Sequence, residues 1–344
     1  MSVKSLVFPY PAAPAPLELV EAAPGVFWLR LPLPFRLNHV NVYLIEDRDG
    51  YVLFDTGIDT PETRELWTAL FAGPLKGKRL TAVLASHCHP DHIGLGGYLA
   101  RMQGVKLFAS QSEYLESLCL SLDPRRLDSE PYRSFFRSHG LDGPNTDVLL
   151  QRGLGYLRLV SGLPRTYRRV IAGETLEIGG RKFDVLTGGG HSSEQIMLYC
   201  ASENVFLCAD QVMARITPNI SVDPMDPDGD PLGIYLRSLN DLKHRIPEDA
   251  LLLPGHNLPF IGLQTRIDEL IAHHEQRCEL ILQFCRGAPH SAAEIVPVLF
   301  DRKIDDPHQL SFAFSEALAH ANYLIRRGSL EAIETPTGVA MRAA

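Results

Sequence analysis

The stretch "LASHCHPDHIGLGG", residues 84 to 97, places His87, His89, Asp91 and His92 within six positions. The cluster follows "TAVLA" (81–85), an apolar run with the character of a buried strand, with only Ser86 between. A solvated loop scatters its titratable groups, whereas a metal site gathers them. Imidazole and carboxylate together suit a borderline divalent ion, held at about 2.0 to 2.2 Å from each ligand. His87 and His89, two apart on extended chain, can grip one ion together. Pro90 bends the chain behind them, so that Asp91 and His92 turn toward a second ion.

Working outward, the same arrangement recurs. Strand signals lie at "GVFWLRLPL" (25–33), "NVYLIED" (41–47) and "YVLFDTG" (51–57), the last carrying Asp55. Thr60-Pro61, Glu62 and Gly73 mark both ends of a helix over "TPETRELWTALFAG". "GGYLARMQG" starts a helix behind the histidine cluster, and "VKLFAS" is a further strand. A hairpin around Gly179-Gly180 is followed by a loop carrying His191. "NVFLCADQV" reads as a strand reaching Asp210, and "ALLLPGHNLPF" as one reaching His256. Thus Asp55, the 87–92 cluster, His191, Asp210 and His256 each stand where a strand gives way to its loop. In layered α/β folds ligands bind at the carboxyl ends of strands.

This H-x-H-x-D-H motif, with "VLFDTG" before it and the later His191, Asp210 and the "PGH" at His256, resembles the metallo-β-lactamase-fold hydrolases. The resemblance spans residues 18 to 285 with all seven ligand positions filled in order. It implies an αββα sandwich of two mixed β-sheets with helices outside. It also implies two divalent metal ions, zinc first, with iron or manganese as alternatives. His87, His89 and His191 would hold the first ion, Asp91, His92 and His256 the second, and Asp210 would bridge them. Asp91 and Asp55 would be the catalytic carboxylates, Asp55 acting by orienting a ligand. A water held between the ions would be acidified toward neutrality and attack a carbonyl.

The Asp210 pattern looks more like glyoxalase II-type thioesterases, lactonases and nucleases of the superfamily than like true zinc β-lactamases. The lactonases usually carry a tyrosine shortly after that aspartate, and "ADQVMARITPN" has none. Cys208 shares a side of its strand with Asp210, but free cysteine is more often simply buried. A thioester or other activated ester, as for glyoxalase II or an acyl-CoA thioesterase, is therefore the first expectation for the substrate. The rivals are a lactone or β-lactam, an endoribonuclease, and an iron-dependent dioxygenase.

Residues 1 to 16 read as an extended, proline-rich arm, and residues 17 to 286 as the catalytic domain. Within it, residues 110 to 170 read as a helical insertion. There Arg152, Arg158, Arg165, Arg168 and Arg169 lie between Val148 and Gly173 with no acidic residue among them. Arg165 and Arg168 are the expected clamp for an anionic small-molecule substrate, through bidentate contacts to phosphate or carboxylate. Asn38, His39 and Asn41, near the same rim, are loop polar groups or substrate contacts. The helix over 263–285 carries His273 and His274, at most one of them able to face the site. Residues 287 to 344 read as two short helices and a hairpin, a winged-helix-like domain. That tail holds five Lys/Arg against seven Asp/Glu, which disfavours nucleic acid and fits a lid or a homodimer contact.

The bulk numbers agree. The chain has 344 residues, 45% hydrophobic and 22% charged, with a net charge of −8. No apolar run approaches the roughly 18 residues needed to cross a bilayer. Six cysteines without framework spacing fit a reducing compartment, and no signal peptide is legible, so a cytoplasmic protein is expected.

Overall fold

The computed structural model describes residues 5–125, 127–300, 304 and 306–344; at 152, 153, 307 and 308 it describes the backbone only. The chain forms two compact units. The first comprises Met1–Leu122, Tyr156–Pro218 and Asp241–Ile267, the second Asp123–Gly155, Asn219–Asn240 and Asp268–Ala344.

The first unit carries two mixed sheets. One runs, in spatial and chain order, through β1 (Val20–Ala23), β2 (Val26–Pro32), β3 (His39–Asp47), β4 (Gly50–Phe54), β5 (Leu80–Leu84), β6 (Leu107–Ala109) and β7 (Arg168–Arg169). Pairing is antiparallel as far as β4 and parallel from β4 to β7. The other sheet is built from β8 (Thr175–Ile178), β9 (Arg181–Gly188), β10 (Gln195–Cys200), β11 (Val205–Ala209), β12 (Leu251–Pro254) and β13 (Phe260–Ile261), in the spatial order β13-β12-β11-β10-β9-β8. Its one parallel pair is β11 with β12. The helices of this unit include α1 (Pro61–Ala72), α2 (Pro90–Ile93), α3 (Gly96–Gln103) and α4 (Gln111–Leu122).

Strand periodicity explains the layering. Side chains alternate across a strand, so a strand buried on both faces feeds two cores. Trp28, Tyr43, Phe54, Phe183, Ile196 and Leu207 meet between the sheets. Leu29, Val42, Leu44 and Leu53, from the opposite faces of the same first-sheet strands, pack with Trp67 and Leu70 of α1 and Leu99 of α3. The Trp67 indole N–H donates to the Thr56 carbonyl at 3.1 Å, so even this deep aromatic has its polar atom satisfied. These are the sandwich and outer helices expected from the sequence.

The described part of the N-terminal arm is tied down. Val7 and Ile261 exchange two backbone hydrogen bonds at 3.0 and 2.9 Å, extending the second sheet past β13. The Tyr10 hydroxyl donates to the Ala22 carbonyl at 2.7 Å. Residues 1–4 of the arm lie outside the described residues.

The second unit holds α5 (Glu130–Ser138) and α6 (Gly143–Leu150). The segment read as one helical insertion is thus divided: α4 belongs to the first unit, and α7 (Arg152–Leu157) straddles the boundary. Next come α8 (Pro231–Arg245), which the sequence expectations did not include, and the 23-residue α9 (Leu263–Cys285); each spans a boundary between the units. Then α10 (Ala292–Leu299) and α11 (Pro307–Arg326) precede the hairpin of β14 (Leu330–Thr335) and β15 (Gly338–Ala343). These are the two helices and the hairpin expected at the C-terminus, and they share the second unit with α5 and α6.

Ser291 and Glu294 cap α10 reciprocally: the serine hydroxyl accepts from the Glu294 N–H, and the glutamate accepts from the Ser291 N–H at 2.8 Å. Ser291→Ala removes half of that box and is expected to destabilise the second unit by about 1 kcal/mol. A shift in the denaturant midpoint checks this; no shift would mean that the cap is idle. The Arg326-Arg327 pair of the tail is engaged locally. Arg326 donates to the Asp228 carbonyl, and the Arg327 guanidinium stands 4.2 Å over the Tyr323 ring.

Candidate metal centre

All seven metal-ligand residues singled out from the sequence belong to the first unit, and each follows the end of a strand. Asp55 follows β4, the 87–92 loop follows β5, His191 follows β9, Asp210 follows β11 and His256 lies just past β12. Two of these strand ends turn through non-glycine residues in the left-handed region. Asp55 sits at φ 63°, and Ala209, immediately before Asp210, at φ 44°. Asn257, immediately after His256, is left-handed as well at φ 69°. Side chains at such angles cost about 1–2 kcal/mol each, and the cost is tolerated where it aims functional groups.

The side chains converge in three overlapping groups, the ligand atoms of each lying within 4.8 Å of one another. One is His87, His89 and His191, another Asp91, His92 and His256, and the third His87, His92 and Asp210. Asp210 stands between the first two: its Oδ2 lies 3.5 Å from His191 Nε2, 3.4 Å from His92 Nε2 and 3.3 Å from His256 Nε2. His87 and His92 are fully buried, and His256 and Asp210 nearly so.

The tautomers are set from behind. The His92 Nδ1–H donates to Asp55 Oδ2 at 2.8 Å, which turns Nε2 and its lone pair toward the cluster. Asp55 is itself held by the Ser86 N–H at 2.7 Å and by the Ser86 hydroxyl at 2.9 Å. That hydroxyl, having donated to Asp55, accepts from His87 Nδ1 at 2.9 Å. The His256 Nδ1–H donates to the His39 carbonyl at 2.7 Å. His87, His92 and His256 therefore all present Nε2 inward. His92 Nε2 and Asp210 Oδ1 are buried without a hydrogen-bond partner. Buried polar atoms are rarely left so, unless something else binds them.

Electrostatics divide the cluster. Burial, then His191, pull His89 down to about 3, and burial with His92 and His89 holds His87 low, so both are neutral donors. Burial also opposes charge on His256, but Asp210 and Asp91 outweigh it and raise that residue to about 10. Around Asp91 and Asp210 the site thus carries a negative potential that attracts a cation. The donor set and its orphaned atoms fit two divalent ions.

Several contributors were not legible as such in the sequence. Glu113 of α4 is buried and accepts from the Cys88 N–H at 2.8 Å and the Glu194 N–H at 2.6 Å, clamping the loops that carry His89 and His191. The Tyr156 hydroxyl, which donates to the Cys88 carbonyl at 2.8 Å, steadies the same loop. His39 and Asn41 brace the His256 loop: His39 Nε2 accepts from the Asn257 N–H at 2.9 Å, and the Asn41 amide donates to the Pro254 and Asn257 carbonyls. Cys208 stands apart from the ligand groups, its thiol directed at the Val212 carbonyl at 3.3 Å. Arg168 pairs with Glu174 at 3.0 Å and stands 5.1 Å over the Phe108 ring, whereas Arg165 is exposed. The side chain of Arg152 lies outside the described residues.

Gly255 shows how closely the site is packed. A Cβ there would come within 2.3 Å of Asp210 Oδ1 and 2.8 Å of the His92 ring. Gly255→Ala is expected to push Asp210 out of register and lower metal affinity by about tenfold or more, since small displacements of ligands and their supports have effects of this size. Isothermal titration with zinc would show it, and unchanged affinity would mean that the loop yields.

The Metallo-beta-lactamase superfamily domain matches residues 36–256 of this sequence, and so contains every one of these residues. The chain belongs to that superfamily. The Metallo-beta-lactamase-like C-terminal domain matches residues 278–341. Among solved structures, a beta-lactamase domain protein from Burkholderia ambifaria is 36% identical with a TM-score of 0.89, the match covering 98% of this chain and 97% of that one. A metallo-beta-lactamase family protein from Thermus thermophilus is 26% identical with a TM-score of 0.79, covering 93% and 99% respectively. A metallo-beta-lactamase from Pontibacter korlensis, 18% identical with a TM-score of 0.51 and coverage of 74% and 97%, shares the fold. No curated protein matches the chain. Members of the superfamily are generally metal-dependent hydrolases. None of the helices among the described residues is long and apolar enough to cross a membrane.

Proposed function

We propose that this superfamily member is a dinuclear metal-dependent hydrolase of the glyoxalase II or acyl-CoA thioesterase kind, acting on an anionic thioester or activated ester. One observation carries the reading: the Asp210 carboxylate lies 3.3 to 3.5 Å from histidines of both three-residue groups, where a carboxylate shared by two ions belongs. His87, His89 and His191 would hold one ion, and Asp91, His92 and His256 the other. Bound there, two divalent ions, zinc first, would acidify a water toward neutrality and polarise the ester carbonyl. The chain's own residues do the rest. Asp55 and Ser86 fix the imidazoles, Asp91 and Asp210 supply the negative charge, and Glu113 keeps the two ligand loops in place. Arg165, exposed on the segment leading into β7, is the available anion contact, since Arg168 is held by Glu174.

The test is metal analysis of the purified chain, with hydrolysis assays on a thioester, a lactone, a β-lactam and a short RNA. About two ions per chain with thioester cleavage supports the reading. Cleavage of RNA alone, or one iron with no hydrolysis, overturns it. Arg165→Ala should raise KM for an anionic thioester several-fold at unchanged kcat, as expected for a charged contact made equally in ground and transition states. An unchanged KM would remove Arg165 from the substrate site.

A further inference from the structure

The second unit contains a buried group of ligand type that the first unit's chemistry does not use. His274 on α9, with Glu316 and His320 on α11, offer ligand atoms that all lie within 4.8 Å of one another. The two histidines are fully buried and Glu316 is 7% exposed. Glu316 and His320 are four apart on one helix and so share a face. Two long helices make a rigid frame for such a face.

The local geometry is that of a ligand set. His274 Nδ1 lies 3.1 Å from His320 Nε2, close to the spacing of two nitrogens on one tetrahedral ion. The His320 Nδ1–H donates to the Glu316 carbonyl at 2.8 Å, which fixes the tautomer and leaves Nε2 as the electron-pair donor. Metal-bound histidines are usually held in this way. Burial keeps both rings neutral, with His274 lowered to about 2 and His320 to about 4. One cation is already present: Arg277 donates to Glu316 Oε1, and its guanidinium stands 4.5 Å over the Phe300 ring. The second carboxylate oxygen remains for a ligand.

We propose that His274, Glu316 and His320 bind one divalent ion of the zinc class within the second unit, linking α9 to α11. Two imidazoles and a carboxylate are a borderline donor set, better matched to zinc than to calcium or magnesium. Arg277 would then be the charge that tunes affinity, weakening the ion by repulsion while holding the carboxylate in place.

The test uses the full chain, stripped with a chelator, dialysed against zinc and analysed for bound metal. Wild type is expected to hold one more ion per chain than Glu316→Gln, which keeps the size of the side chain and its contact with Arg277. Asp210→Asn, altered only in the first unit, should retain that additional ion. Arg277→Gln should retain it with about tenfold higher affinity, because a nearby like charge is gone. Because Glu316→Gln and Arg277→Gln each remove one buried charge, circular dichroism would establish that every second-unit variant is folded. His320→Asn provides a second loss-of-ion variant should Glu316→Gln fail to fold. Equal zinc content in wild type and a folded loss-of-ion variant would overturn the proposal. So would an Arg277→Gln chain that binds the additional ion no more tightly.

Discussion

Asp55→Ala is expected to lower affinity for metal about 10- to 100-fold, although Asp55 belongs to none of the three-residue groups. The carboxylate accepts three hydrogen bonds in a fully buried setting, from the Ser86 N–H, the Ser86 hydroxyl and His92 Nδ1. Alanine leaves the Ser86 N–H and the His92 Nδ1–H without an acceptor, at about 1–3 kcal/mol each. It also frees the His92 ring to rotate or to adopt the other tautomer, so the lone pair no longer faces Asp91 and Asp210. Thermal unfolding of the chelator-stripped chain would report the first effect, and zinc titration the second. Destabilisation with unchanged zinc affinity would show that Asp55 merely supports the loop and does not orient His92.

Asp210→Asn is expected to have the other large effect, and an asymmetric one. The substitution keeps shape and removes one negative charge from a point 3.3 to 3.5 Å from His92, His191 and His256. Two of the three histidines that face Asp210 Oδ2, His92 and His256, belong with Asp91, and only His191 belongs to the other group. The ion assigned to Asp91, His92 and His256 should weaken by a factor of about 10² or more. The ion assigned to His87, His89 and His191 keeps all three of its imidazoles and should weaken less. Stepwise zinc titration, read by metal analysis at each step, separates the two. Equal loss of both ions would contradict the ligand assignment.

Much of this was legible in the sequence because the relevant signals are local. Alternating apolar residues between punctuating glycines and prolines set the strands, and Thr60-Pro61 and Gly73 bound α1 to within a residue. His87, His89, Asp91 and His92 announce themselves by crowding. What the sequence hid depends on long-range partners. Glu113 looks like an exposed acid on a helix until residues 88 and 194 arrive beside it. His39 and Asn41 look like rim polarity, yet their partners lie more than 200 positions away. The α8 helix was missed although "PLGIYLRSLNDLKHR" carries Leu232, Tyr235, Leu239 and Leu242 at helical spacing, because it opens with proline and glycine after an acidic loop. The pairing of His274 with His320 joins two helices 46 residues apart, and neither helix's own pattern marks it.

Asp55, Ala209 and Asn257 hold backbone angles in which glycine would be more at ease. At 209 and 257, glycine would relieve strain by up to about 1–2 kcal/mol while removing the stiffness that aims Asp210 and His256. A laboratory evolution campaign that rewards heat resistance alone would therefore drift toward glycine at both positions. Its winners would survive boiling better and hold their metal less well. For this chain, thermostability screening needs a counter-screen for bound metal, or it will select against the centre itself.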